Sequence, residues 1–186
     1  RTGIRDFIMG LGMLSAARGL ALVLTGGLPI SGLPSILVFA GSTTVFGVIP
    51  MSVIVSAIMV SIAWFVLNYS HLGRCAYAIG GNKEAARASG IDVANSKVKI
   101  YAFLGFFVSI SAWVQIGRIY SANANMGSGQ ELQAIAAVII GGTNLFGGEG
   151  NIAGTVFGAL IMGIISNGLN LLNVSAFSQL VAKGGV

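Results

Sequence analysis

The chain has 186 residues, of which 55% are hydrophobic and only 8% are charged, whereas soluble domains carry roughly 25% charged residues. So few charges cannot cover a soluble globule, and the composition predicts an integral membrane protein. The net charge of +5 and the single cysteine do not indicate a nucleic-acid-binding face, a disulfide framework or a Cys/His metal site, because the basic residues lie at the ends of apolar runs.

The first predicted span covers residues 7–24, an apolar run of 18 residues interrupted only by Arg18. About 20 apolar residues cross the roughly 30 Å hydrocarbon core of a bilayer. An arginine inside that core costs at least ~2.5 kcal/mol unless it reaches the interface or a partner. Arg18 is therefore interpreted either as a snorkelling residue near the end of a tilted helix or as a buried residue with a structural or pathway role.

Two further spans follow the first. Residues 26–47 contain two prolines and several glycines, which break the helical pattern. Residues 48–67 are twenty uncharged residues with Trp64 near their end, where amphipathic aromatic side chains favour the membrane interface. Residues 100–117 form the third predicted span, which closes at Arg118.

The segment between the second and third spans, residues 70–99, is polar and strongly basic. Basic residues beside apolar spans concentrate on the cytoplasmic side of a membrane. The segment is therefore predicted to be a cytoplasmic loop. The basic residues assigned to that side are Arg1, Arg5, Arg74, Lys83, Arg87, Lys97 and Lys99.

Within this loop, Lys83–Gly90 contains the pattern EAAxxxG. Small alanines leave a helix face that a partner can approach, a glycine ends or bends the helix, and charges surround it. We interpret the stretch as a short coupling helix. The candidate residues for contact with a partner are Arg74, Glu84, Ala85, Ala86, Arg87 and Gly90.

Residues 132–142 are apolar but too short to cross a bilayer at 1.5 Å per residue, and the stretch TNLFGGEGN follows them. Such an interrupted helix is tolerated where protein or a water-filled cavity surrounds it, so a re-entrant element is predicted.

The helical pattern resumes over residues 152–172. Glycines spaced four apart predict close packing against a neighbouring helix, and polar residues are candidates for the pathway or its gate. The glycines are Gly150, Gly154 and Gly158, and the polar candidates are Arg18, Arg118, Glu131, Asn167 and Asn170.

No catalytic residue or metal site is predicted. The single histidine, His71, belongs to no triad or nucleophile motif. The glycines from Gly148 to Gly154 have the spacing GxGxxxG, which is not the dinucleotide-binding fingerprint, and a Walker A sequence is absent. The chain is therefore not expected to hydrolyse ATP itself.

Two blocks resemble permeases of ATP-binding-cassette (ABC) importers. Residues 73–91, GRCAYAIGGNKEAARASGI, resemble their cytoplasmic loop, although Ala102 and Phe103 stand where that loop pattern has Leu-Pro. Residues 127–181 resemble permeases of the ribose, xylose and galactose type. The pattern of Gly12, Met13, Arg18 and Gly19 in the first span agrees with this resemblance.

The resemblance implies an all-α polytopic protein of a bacterial inner membrane, longer than this chain by its first spans and its last. It implies two permease copies in the lipid bilayer, two cytoplasmic ATPase subunits that hold ATP and Mg²⁺, and an external sugar-binding protein. In that family the loop contacts the ATPase, which corresponds here to Glu84, Ala85, Ala86 and Gly90. No cofactor is implied for this chain.

Other cargoes and another class of transporter stay open on the residues alone. The same machinery could carry a nucleoside, an autoinducer furanose or a branched-chain amino acid. A secondary transporter or channel would normally need ionisable residues near the middle of the membrane, and only Arg18 qualifies.

Overall fold

The computed structural model describes residues 6–45, 47–175 and 178–179, and within them the protein is all-α apart from two pairs of very short strands. This confirms the predicted class of an all-α polytopic membrane protein. The predicted beginning of a last span, at residues 176–186, lies outside the described residues except for Ser178 and Gln179. The helices are α1 Asp6–Thr25, α2 Ser35–Ser42, α3 Met51–Tyr69, α4 His71–Gly81, α5 Lys83–Ala88, α6 Val93–Ile119, α7 Gln130–Ile140 and α8 Ile152–Leu171.

Four of these helices, α1, α3, α6 and α8, are long and apolar enough to cross a membrane, whereas α7 has only 11 residues. Most side chains of the four are exposed, as expected for helices whose solvent is lipid. The helix α3 begins three residues later than the predicted span because Ile49 and Pro50 form a strand. The helix α6 begins seven residues before the predicted third span, at Val93.

The helix α2 lies where the sequence predicted a break. Pro34 occupies its N-cap position with φ of −55°, and a proline at the start of a helix loses no intrahelical hydrogen bond. The apolar run that follows is then free to continue as two turns of helix. The glycines and prolines of residues 26–47 therefore mark the ends of a short helix as well as the turns around it.

The chain divides into two compact units, of which the first lies within residues 1–55 and 108–128. In this unit the strand β1, Ile30–Ser31, pairs antiparallel with β4, Ser121–Ala122, and β2, Thr44–Val45, pairs with β3, Ile49–Pro50. The indole nitrogen of Trp113 donates a hydrogen bond to the Leu37 carbonyl at 3.0 Å. A Cβ at Gly117 would lie 2.9 Å from the backbone nitrogen of Gly41, so α2 and α6 touch through their backbones.

The second unit lies within residues 56–107 and 129–186. In it α7 packs against α8, and α4 packs against α5. A Cβ at Gly158 would collide with the Ala137 carbonyl oxygen, and one at Gly154 would collide with that of Gly141. Because later residues of α8 meet earlier residues of α7, the two helices run antiparallel at backbone contact distance.

Candidate coupling segment

The segment that follows α3 is built from two capped helices. Ser70 Oγ accepts hydrogen bonds from the backbone nitrogens of Leu72 and Gly73, at 3.1 and 3.2 Å, and so starts α4. Gly73 is buried, and a Cβ there would collide with the Leu67 carbonyl group. The chain therefore turns sharply between α3 and α4, and only glycine fits under the last turn of α3.

The short helix α5 begins and ends with side-chain and backbone caps. Asn82 Oδ1 accepts hydrogen bonds from the backbone nitrogens of Glu84 and Ala85, each at 3.0 Å. At the other end the Ile91 nitrogen donates to the Ala86 carbonyl at 3.1 Å, with Gly90 at φ of +84°. This left-handed glycine closes the helix, as is common at helix C-termini. The predicted stretch Lys83–Gly90 is thus one capped helix, Lys83–Ala88, and its terminating turn.

The two alanines of the EAA pattern differ in exposure. Ala86 is only 4% exposed, whereas Ala85 is exposed together with Glu84, Arg87 and Gly90. Arg74 is exposed on α4. Ala86 therefore holds α5 on the protein, and the other predicted residues of α5 present a small surface with both signs of charge.

A glycine-rich turn between α7 and α8 lies against α4, a contact that the sequence did not predict. The turn is closed by the Asn144 nitrogen donating to the Glu149 carbonyl, at 3.1 Å, and by the Phe146 nitrogen donating to Asn144 Oδ1, at 2.9 Å. The hydroxyl of Tyr77, on α4, donates to the Gly150 carbonyl at 3.1 Å. This hydrogen bond therefore joins the turn to α4, close in sequence to the start of α5.

A cleft of about 270 Å³ opens beside this contact. Tyr77 lines one side, and Thr143, Asn144 and Gly148 line the other. The buried Thr143 Oγ1 has no hydrogen-bond partner within the described part of the chain. The sequence carries one signal for this contact, since the adjacent glycines Gly80 and Gly81 occupy the last turn of α4 and glycine lowers the stability of a helix.

The remaining predicted residues belong to other helices. Arg18 is half-buried in α1, and Arg118 is exposed in the last turn of α6. Glu131 is exposed in the first turn of α7, and Asn167 is exposed on α8. Asn170 Oδ1 accepts a hydrogen bond from Gln179 Nε2 at 2.9 Å. Their roles in a pathway or gate stay predictions.

Comparisons with known proteins match nearly the whole chain. Residues 1–184 match the family described as branched-chain amino acid transport system / permease component. The ribose import permease protein RbsC of Escherichia coli strain K12 is 39% identical over 191 residues, which cover 98% of this chain and 58% of the relative. RbsC of Bacillus subtilis strain 168 is 45% identical over 180 residues, covering 96% of this chain and 56% of the relative.

The D-allose transport system permease protein AlsC of Escherichia coli strain K12 is 40% identical over 185 residues, covering 100% of this chain and 56% of the relative. No solved structure gives a significant match. The chain spans a little over half the length of each of these relatives. The chain therefore belongs to the family of branched-chain amino acid transport system permease components and is a multi-pass inner-membrane protein.

Proposed function

We propose that this chain forms the membrane-spanning permease part of an ABC importer that carries a monosaccharide across the inner membrane. The observation that carries the proposal is its similarity, along 96–100% of its length, to two ribose permeases and an allose permease. In this proposal ATP and Mg²⁺ are bound by separate ATPase subunits, and an external binding protein delivers the sugar. The chain itself does not catalyse a reaction, and a second permease copy completes the pathway.

The surface proposed to meet the ATPase subunit is the exposed side of α5. Glu84, Ala85 and Arg87 lie on it, and Gly90 follows at its end. Caps at both ends stabilise α5 as a defined surface for a partner to contact. A partner shifts a conformational equilibrium only through a difference in its affinity for the two states. The ATPase must therefore bind α5 with different affinity in the inward-open and outward-open states.

Two variants test this surface. Glu84→Lys reverses an exposed charge, and Ala85→Trp places a bulky ring on the exposed side without entering the interior. Both are expected to abolish sugar uptake and co-purification of the ATPase subunit while the protein stays in the membrane. The control is Asn95→Lys, which introduces the same side chain at an exposed position on the first turns of α6. ATPase binding that survives both α5 variants would refute this assignment.

The cargo is tested separately from the partner. The family description names branched-chain amino acids, whereas the similar permeases are named for ribose and allose. Membrane vesicles that contain the protein, its ATPase subunit and its binding protein are supplied with radiolabelled ribose or, in parallel, leucine. ATP-dependent accumulation of ribose is expected. Accumulation of leucine alone would show that the cargo is an amino acid and leave the ABC mechanism standing.

A further inference from the structure

We infer that Tyr77, Gly80, Gly147 and Gly148 form a joint that carries movement of the α4–α5 segment to the α7–α8 pair. The inference rests on the proposed function, since it takes α5 as the site on which the ATPase pushes. It goes beyond that function by naming the contact through which the push reaches a membrane-spanning helix. The sequence places 66 positions between Gly80 and Gly147, so this contact is formed only by the fold.

The joint is packed backbone against backbone. A Cβ at Gly80 would lie 2.6 Å from the Gly148 nitrogen, and one at Gly147 would lie 2.8 Å from the Gly80 carbonyl oxygen. Real Cβ atoms do not approach other atoms so closely, so a methyl group at Gly80 would force the turn away from α4. Gly147 and Gly148 also have φ of +92° and +84°, in the left-handed region that favours glycine.

The α4 side of the joint is continuous with the proposed docking helix. Asn82 donates its backbone N–H to the Ala78 carbonyl at 3.1 Å, which ends α4, and its side chain caps α5. One residue thus belongs to both helices. A displacement of α5 moves the last turn of α4, and Gly80 lies in that turn.

The other side of the joint is continuous with two helices. The Gly142 nitrogen donates to the Ile139 carbonyl at 2.8 Å, at the end of α7. Asn151 Oδ1 accepts from the Ala153 nitrogen at 2.9 Å and so caps α8. Close-packed backbone transmits displacement because no flexible side chain lies between the two parts. The Tyr77 hydroxyl, bound to the Gly150 carbonyl, keeps the turn from sliding along α4.

The test measures the amount of ribose transported per ATP hydrolysed, in proteoliposomes that contain the protein, its ATPase subunit and its binding protein. Gly80→Ala is expected to lose most of this ratio while the ATPase subunit still binds. Gly81→Ala is the matched control, because a Cβ there would lie 3.7 Å from Gly148 Cα, an ordinary contact. Tyr77→Phe removes only the hydroxyl and is expected to lower the ratio less than Gly80→Ala.

A purely structural role predicts a different result, since a destabilised permease loses uptake and hydrolysis together and keeps the ratio. An unchanged ratio in Gly80→Ala would overturn the inference, and so would an equal loss in Gly81→Ala. If Gly80→Ala fails to reach the membrane, Tyr77→Phe becomes the test, and an unchanged ratio in that variant would overturn the inference. If the ATPase subunit fails to bind the unaltered protein, the proposed function fails, a result distinct from loss of the joint.

Discussion

The hydroxyl of Tyr77 donates a hydrogen bond to the carbonyl oxygen of Gly150, a residue 73 positions further along the chain, at 3.1 Å. Gly150 directly precedes Asn151, the residue that caps α8. The start of a membrane-spanning helix is therefore tied to a helix of the basic segment. Because the acceptor is a backbone carbonyl, this bond depends on the path of the turn more than on its side chains.

Gly158 and Gly163 lie on the same helix, α8, but in different surroundings. A Cβ at Gly158 would collide with the Ala137 carbonyl, whereas one at Gly163 would meet nothing within 4 Å. Gly158→Ala is expected to destabilise the protein by about 1–3 kcal/mol through overpacking. Gly163→Ala is expected to leave stability unchanged or raise it by up to ~1 kcal/mol, because alanine is the better helix former. Thermal unfolding of both purified variants in detergent checks this, and equal stability would contradict it.

Trp113 is expected to hold α6 to α2 through its indole N–H. Trp113→Phe keeps an aromatic ring but removes the donor to the Leu37 carbonyl, at a cost of about 1 kcal/mol. The control is Trp64→Phe. Trp64 packs edge-on against Tyr69 with ring centroids 5.4 Å apart, and a phenylalanine ring can keep that contact. The chain has two tryptophans, so each variant keeps one fluorescent reporter. Denaturant unfolding followed by that reporter should show the larger loss for Trp113→Phe.

Composition and the lengths of apolar runs predicted the class of the protein because a bilayer demands long apolar helices. The capped helix α5 was also predictable, since its pattern is local in sequence. The start of α6 was not, because residues 93–99 are polar and hydropathy alone does not distinguish a polar helix from a loop. The contact of Gly80 with Gly148 could not be predicted either, since it depends on how distant segments fold together.

Asn82 is predicted to set the stability of α5. Asn82→Ala removes the acceptor of the Glu84 and Ala85 amides and should cost about 1 kcal/mol. Hydrogen exchange of those two amides is then expected to accelerate by about fivefold. Asn82→Asp keeps a capping oxygen and should exchange at nearly the original rate. Equal acceleration in both variants would show that the side-chain cap does not hold the helix.

Gly90 is predicted to tolerate asparagine better than alanine. Its φ of +84° is left-handed, a conformation that costs an ordinary residue about 1–2 kcal/mol and that asparagine adopts more readily. Gly90→Ala should therefore weaken ATPase binding more than Gly90→Asn, which has the larger side chain. Titration of the purified protein with its ATPase subunit measures this order. The reverse order would mean that side-chain size at the surface, rather than backbone conformation, governs Gly90.

The helix α6 has 27 residues, which makes it about 40 Å long, whereas the hydrocarbon core measures roughly 30 Å. Its first two turns, residues 93–99, carry Asn95, Lys97 and Lys99, so this end of the helix is expected to extend beyond the hydrocarbon core. Lys97 and Lys99 are thus expected at the membrane surface, on the side of the basic segment. One helix therefore combines the lipid-exposed span with basic residues that favour one orientation of it in the membrane.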